Sequence, residues 1–290
     1  MPETIILPTT AGHSITARLF AVDSSLADSK TAKGICILAP ATGVAQYLYD
    51  DFAEWLTEQG FYALTFDYDG MGMSVDGHVK QCRSDKLSWG EHDCPAVLNY
   101  VASEFPQLEK IWIGHSVGAH MLGMMPSTEL IDRAITVGAG TGTWWYNSPP
   151  TRRMAWFLWY ALVPSIVPVV GYWPGNRLGI MCDMPKGVIM QWRRWCLRND
   201  YCVGAEGEWL KQRFSAVKLP IKSLVFSDDE MMSLNNVSRL HAFFTGAKVT
   251  RTVISPQDVG QKRIGHIGWH KGKYRALWEK YFLPELTQTA

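Results

Sequence analysis

Cysteine is scarce in this sequence, with six in 290 residues and none in a C-x-x-C pair. That excludes a disulfide-stapled scaffold and argues against a thiolate metal centre. Net charge is nearly absent too: Lys+Arg 28 against Asp+Glu 27 leaves +1, and charged residues make up 19% of the chain. No global field therefore recruits nucleic acid. Disorder is excluded as the main state by the same low net charge together with 12% aromatic residues. The first twenty residues lack a basic segment followed by an apolar core. They alternate apolar with polar and read as two strands rather than a signal peptide, so the expectation is a cytoplasmic protein with free thiols. Internal repeats and low-complexity stretches are missing as well. What is present is a chain 47% hydrophobic, long enough for a full core of one large or two small domains.

Four apolar runs read as buried strands of a parallel sheet: Gly34–Leu38, Tyr62–Phe66, Ile111–Ile113 and Ala134–Val137. Helical patterns lie between them. Tyr49–Gln59 carries Phe52, Trp55 and Leu56 on one face and stops at Gly60, and Trp89–Glu104 aligns Cys94, Val97 and Val101. Strand and helix alternating at this spacing predict an α/β fold, a doubly wound and mostly parallel sheet. The rhythm breaks over residues 141–216, which hold eight of the thirteen tryptophans. It resumes with a strand at Ser223–Phe226, a helix at Leu234–Phe244, a strand at Lys248–Ile254 and a last helix near Gly268–Phe282. The expected organisation is a core built from 1–140 and 217–290, interrupted by a Trp-rich helical insertion at 141–216.

The stretch Ile111-Trp112-Ile113-Gly114-His115-Ser116-Val117-Gly118 contains G-x-S-x-G directly after a β-branched strand and before a helix-compatible run. A strand-to-helix turn this tight strains its central residue and needs small residues two before and two after. It lifts the serine hydroxyl over the carboxyl edge of the sheet. A hydroxyl there is a poor nucleophile until a base takes its proton. Three histidines lie downstream. His241 sits inside a helical pattern, and His270 reads as a surface or helix-face residue one turn into the last helix. His266 lies between Gly265 and Gly268 in the loop after the last strand, and it is the expected base. The orienting acid should follow the strand Ser223–Phe226, where Asp228 and Asp229 compete. Val117 is the expected first amide of an oxyanion hole, and Ala41 or Thr42, in the small-residue loop Ala39–Val44, the second.

These landmarks, in this order, resemble the α/β-hydrolase superfamily over nearly the whole chain. Its lipase, lysophospholipase and serine-aminopeptidase-like branch is the most similar in layout. Asp67-Tyr68-Asp69-Gly70-Met71-Gly72-Met73-Ser74 is similar to the family's D-x-R-G-x-G-x-S turn, with Asp69 in place of arginine. Pro40-Ala41-Thr42-Gly43 stands where the family has His-Gly. The family's acid is commonly followed by one residue, two apolar residues and a small residue or proline. Asp229-Glu230-Met231-Met232-Ser233 fits that register, so the resemblance implies Asp229 as the acid. It also implies an α/β-hydrolase fold, a lid inserted after the sixth strand, a Ser116-His266-Asp229 triad and no metal or organic cofactor.

Met154–Val170 is seventeen residues without a charge. Spanning a bilayer takes about 20, and Pro164 and Pro168 are expected to break the helix. A lid helix with an apolar underside, with peripheral lipid contact, is the expectation instead. Asp183–Leu197 reads as a second lid helix capped by Asp183. Residues 151–200 carry seven Lys/Arg and two Asp/Glu. An aminopeptidase must bind an ammonium, and this insertion is short of acids. The expected activity is hydrolysis of a carboxylic ester with an apolar acyl group. Acyl transfer or thioester cleavage by the same triad, and a non-catalytic lipid- or partner-binding protein, are the rivals.

Overall fold

Eight strands form one sheet in the computed structural model, which describes residues 1–22 and 32–288. In chain order they are β1 (Glu3–Pro8), β2 (Ser14–Phe20), β3 (Gly34–Ala39) and β4 (Phe61–Phe66). Then follow β5 (Lys110–His115), β6 (Arg133–Val137), β7 (Ile221–Phe226) and β8 (Val249–Ile254). Across the sheet the order is β1-β2-β4-β3-β5-β6-β7-β8. The β1–β2 hairpin and the β2–β4 pair are antiparallel, and every other neighbour is parallel. This is the mostly parallel, doubly wound α/β sheet that the alternation predicts, and it fits the fold that the resemblance implies.

Every residue of β3 and β5 is buried, because helices cover both faces and no strand side faces water. The two-residue period sorts the side chains. Ile35 and Ile37 point into one apolar cluster, Cys36 and Leu38 into the other. On the second face α1 (Asp50–Glu58) packs Phe52, Trp55 and Leu56 against Trp269, Trp278 and Phe282. On the first face α2 (Cys94–Glu104) buries Cys94, Val97 and Val101. The chain reverses after α1 at Gly60, whose φ of 88° marks it as the expected glycine beyond the helix end.

Between β6 and β7 the chain forms a run of helices. α3 (Val117–Met124) follows β5, and the insertion after β6 holds α4 (Pro149–Phe157), α5 (Val163–Val170), α6 (Lys186–Cys196), α7 (Tyr201–Glu206) and α8 (Glu208–Ala216). Trp159, Val163, Val188, Trp192 and Trp195 belong to the same apolar cluster as Ile35 and Ile37. The insertion therefore shares its core with one face of the sheet.

Four local expectations are corrected. Pro164 and Pro168 do not break the helix: a π-helical turn at Leu158–Leu162 leads into Pro164 at the first turn of α5, and Pro168 is carried inside α5. Residues Thr151–Val170 thus form 20 continuous helical residues, long and apolar enough to cross a membrane, with 22% of the apolar window buried. Asp183 does not cap α6. Pro185 holds that position, and Asp183 Oδ1 accepts from the Asn176 amide at 2.9 Å. The last helix starts later than Gly268, with a 3-10 turn at Gly272–Tyr274 leading into it. His270 is not a surface or helix-face residue: it is buried before that turn, with its ring 4.7 Å from the Tyr49 ring.

Candidate active site

β5 ends at His115 and α3 begins at Val117, so Ser116 alone makes the turn, with φ 52° and ψ −111°. Left-handed backbone costs an L-residue about 1–2 kcal/mol, and the surrounding packing must hold it there. A Cβ at Gly114 would lie 2.6 Å from the Ala119 nitrogen, and one at Gly118 would lie 2.2 Å from the Ala39 carbonyl oxygen. Both glycines are therefore demanded by close backbone approach, as the motif requires. The Ser116 amide donates to the Val137 carbonyl at 3.0 Å, which ties the turn to the end of β6. Its side chain is half-buried at the carboxyl edge of the sheet.

His266 and Asp229 arrive at the same edge from beyond β8 and β7. Asp229 Oδ2 lies 2.8 Å from His266 Nδ1, and Asp229 Oδ1 accepts the Met231 and Met232 amides, each at 2.8 Å. Both side chains are buried. Burial alone would lower the His266 pKa, but the field and hydrogen bond of Asp229, with Glu230 behind it, outweigh it and raise the pKa above 6.5. The adjacent carboxylate takes a different task. Asp228 Oδ2 accepts the Ile264 amide at 2.8 Å and the Gly265 amide at 3.2 Å. Glu230 Oε2 accepts the His266 amide at 3.1 Å. Three consecutive acids thus clamp the histidine loop, two through its backbone and one through the imidazole. Among the described residues no hydrogen bond joins Ser116 Oγ to His266. Such contacts often tighten only when substrate enters.

On the oxyanion side, the Ala41 amide is engaged. It donates to Tyr49 Oη at 3.0 Å. The amides of Val117 and Thr42 have no hydrogen-bond acceptor among the described residues, which favours Thr42 over Ala41 as the second donor. Tyr49 Oη in turn lies 2.7 Å from His115 Nδ1, and His115 Nε2 lies 3.1 Å from the His266 carbonyl oxygen. Burial, together with the neighbouring His266 and His270, holds the His115 pKa well below 6.5. The neutral ring then accepts from Tyr49 at Nδ1 and donates to His266 at Nε2. One chain of hydrogen bonds links the Ala41 loop, the turn at Ser116 and His266.

Sequence reasoning missed four residues here. Gly138, with φ 55°, closes β6, and a Cβ on it would lie 3.2 Å from Asp229 Oδ2 and 3.3 Å from His266 Nδ1. Tyr49 and His115 were visible only as a helix-start aromatic and the variable position of a motif. The fourth is Lys86. It is fully buried, its Nζ donates to Thr42 Oγ1 at 2.8 Å, and it sits 3.9 Å from the centre of the Trp192 ring. Lys86 lies in sequence beside Asp85 in what reads as a polar loop, with no pattern to announce burial. The motif turn at Asp67 is a pin rather than a reactive group: its carboxylate accepts the Gln46 and Met73 amides, each at 2.8 Å. Two cavities, of about 550 Å³ against α6 and about 570 Å³ beside His13, are not lined by Ser116.

Known proteins of the same architecture include a thermostable carboxyl esterase from Bacillus coagulans, 12% identical, with 98% of this chain and 98% of that one aligned at a TM-score of 0.62. An esterase domain from a Rhodothermus marinus protein is 15% identical over 97% of this chain and 96% of that one, at 0.55. The acylaminoacyl peptidase of Pyrococcus horikoshii is 12% identical over 98% of this chain but 40% of its own, at 0.58. At these identities the likeness is one of fold. No curated protein matches the sequence. Residues 30–178, more than half of the chain, match the family described as serine aminopeptidase, S33. The chain belongs to that family of α/β hydrolases.

Proposed function

We propose that this protein is a serine hydrolase that cleaves a carboxylic ester with an apolar acyl group, by way of an acyl-enzyme. The observation that carries the reading is the buried His266 Nδ1–Asp229 Oδ2 pair at 2.8 Å, on the sheet edge where Ser116 turns. Ser116 Oγ attacks the carbonyl carbon as its proton passes to His266 Nε2. Asp229 keeps the Nδ1–H tautomer and stabilises the imidazolium. The amides of Val117 and Thr42 receive the charge on the carbonyl oxygen. Collapse expels the alcohol, which takes the proton from His266. Water then gives a proton to the same nitrogen, attacks the acyl carbon and releases the acid, restoring Ser116.

The family's description names an aminopeptidase, and charge favours an ester here. The acids of the insertion are engaged: Asp200 with Arg239, Glu206 with Arg194, Glu208 with Lys211, and Asp183 with the Asn176 amide. Each already has a partner, which disfavours capture of a substrate ammonium, and Lys86, when protonated beside Thr42, would repel one. We read the insertion as the lid, and the outward face of α4 and α5 as a lipid-contacting surface. Trp156 is 52% exposed and Phe157 51%, with Arg152 and Arg153 one turn away to meet anionic head groups.

The test is intact-mass labelling with a fluorophosphonate, followed by p-nitrophenyl esters of increasing chain length. A single adduct lost in Ser116→Ala, with turnover peaking at one acyl length, supports the reading. An unlabelled protein would sink it. Labelling without ester turnover redirects it to thioesters or acyl transfer, which product analysis with added thiols and alcohols separates.

A further inference from the structure

Lys86 has no counter-ion. Its ammonium is fully buried, and among the described residues no carboxylate lies within ion-pair distance of Nζ. The neighbouring Asp85 is spent elsewhere: Oδ1 accepts the Ser88 amide at 2.9 Å and Oδ2 accepts from Gln191 Nε2 at 3.0 Å. The titratable groups that face it are all neutral near pH 7. Cys196 on α6 and Cys202 and Tyr201 on α7 are pushed upward by burial. His120 on α3 is pushed down to about 3, by burial first and by Lys86 second. Burial also pushes Lys86 itself down to about 7. An uncompensated charge is expensive to bury, and a fold that keeps one beside its reaction centre places it where negative charge appears during turnover.

We propose that Lys86 is a positioning residue of the oxyanion hole, acting through Thr42. Its ammonium donates to Thr42 Oγ1, which fixes the side chain of the residue whose amide has no other acceptor. The Thr42 hydroxyl, having accepted from Lys86, keeps its own proton to donate. When protonated, the ammonium also puts a positive charge one hydrogen bond from Thr42, against the Trp192 ring, where burial keeps water from screening it. No bond to Lys86 forms or breaks. This inference rests on the serine-hydrolase reading above.

Lys86→Met keeps the stem and removes the charge. With p-nitrophenyl butyrate, kcat should fall about 10- to 100-fold with KM little changed, less than the loss of a direct oxyanion donor. The rate of Ser116 phosphonylation by a fluorophosphonate should fall in parallel, because charge also builds on the phosphoryl oxygen. In the unaltered protein both rates should decline as pH rises through about 7, where Lys86 loses its proton; in the Met variant that limb should vanish. The melting temperature should hold or rise, since a buried charge has been removed. Thr42→Val should lower kcat similarly, and the double variant should lose little more, as expected for two groups on one path. Unchanged kcat and phosphonylation in Lys86→Met, with the alkaline limb intact, overturns the inference alone. So does a loss confined to the KM of a carboxylate-bearing ester such as p-nitrophenyl hemisuccinate, which would make Lys86 a substrate-anion ligand. Absence of labelling in the unaltered protein overturns the hydrolase reading and the inference with it.

Discussion

The two halves of the candidate site are built on opposite electrostatic principles. On the acid–base side each carboxylate is engaged: Asp229 holds the imidazole and two amides, Asp228 holds the amides of Ile264 and Gly265 through one oxygen, and Glu230 holds the His266 amide. On the oxyanion side a buried ammonium is met by one hydroxyl oxygen and the face of a tryptophan. The paired half does its work before substrate arrives, by fixing a tautomer and a loop. In the proposed mechanism the unpaired half is completed when the carbonyl oxygen acquires charge. A ground state held short of satisfaction is what differential binding of the transition state requires.

The largest break in the comparison removes the group between the halves. Ser116→Ala should lower kcat on any ester found to be a substrate by about 10⁴- to 10⁶-fold. Its circular dichroism should stay unchanged. Retained turnover would show that the chemistry lies elsewhere.

Within the paired half, Asp229 and Asp228 separate orientation of the ring from placement of the loop. Asp229→Asn should cost about 10³- to 10⁴-fold in kcat, because an amide can present its NH₂ to Nδ1 and reverse the tautomer. Asp228→Asn keeps an oxygen for the two amides and should cost about tenfold or less by the weaker, neutral bonds that replace charged ones. Equal losses would erase the distinction between the two acids. The pH dependence sharpens it further. His266 must be neutral to act as base, so activity should rise with pH through its raised pKa, above 6.5. Removing Asp229 should move that limb to lower pH. The stability effect has the opposite sense: the raised pKa contributes stability that is fully present below 6.5 and is lost as pH rises through the folded value. For Lys86 the folded value, about 7, lies below the ordinary 10.5. The unfolded chain binds the extra proton between those values, so stability climbs with pH across that window, and Lys86→Met should flatten the climb in denaturant titrations.

The sheet was legible because its signal is redundant. Runs such as Ile111-Trp112-Ile113 and the two-residue sorting of Ile35, Cys36, Ile37 and Leu38 each state burial on their own. The nucleophile turn was legible for the same reason, since Gly114 and Gly118 answer to steric limits that few residue types meet. Lys86, Tyr49 and Gly138 were not, because each owes its role to a partner more than a strand away. Lys86 meets Thr42 across 44 residues and Tyr49 meets His115 across 66. A polar residue alone in sequence carries no mark of which backbone will fold over it. The insertion helix is a different case: Pro164 conflicts with an α-helical ladder, and the π turn before it removes the conflict.

The hydrogen-bond chain between the halves gives a smaller effect. Tyr49→Phe leaves the Ala41 amide and His115 Nδ1 without their partner. Losing a bond while burying its orphaned groups costs about 1–3 kcal/mol, to be read as a lower denaturant midpoint. Stability unchanged within error would mean that water replaces the phenol and that the chain transmits nothing between loop and base.

The smallest expected effect on stability lies outside both halves, on the outward face of α4 and α5. Met154 is 68% exposed and Val169 83%, so neither contributes much to the core. Trp156→Ser with Phe157→Ser should change stability by within about 0.5 kcal/mol, as surface substitutions do. Turnover of a short soluble ester should stay the same, because Ser116, His266 and Lys86 keep their neighbours. Binding to vesicles containing anionic lipid, followed by sedimentation, should drop sharply if this face meets a lipid surface. A double variant that melts well below the parent would show instead that the aromatic face is packed against the rest of the insertion in solution. The two outcomes assign the apolar surface either to a lipid interface or to the core of the insertion, and only the first supports the proposal that the insertion meets a lipid aggregate.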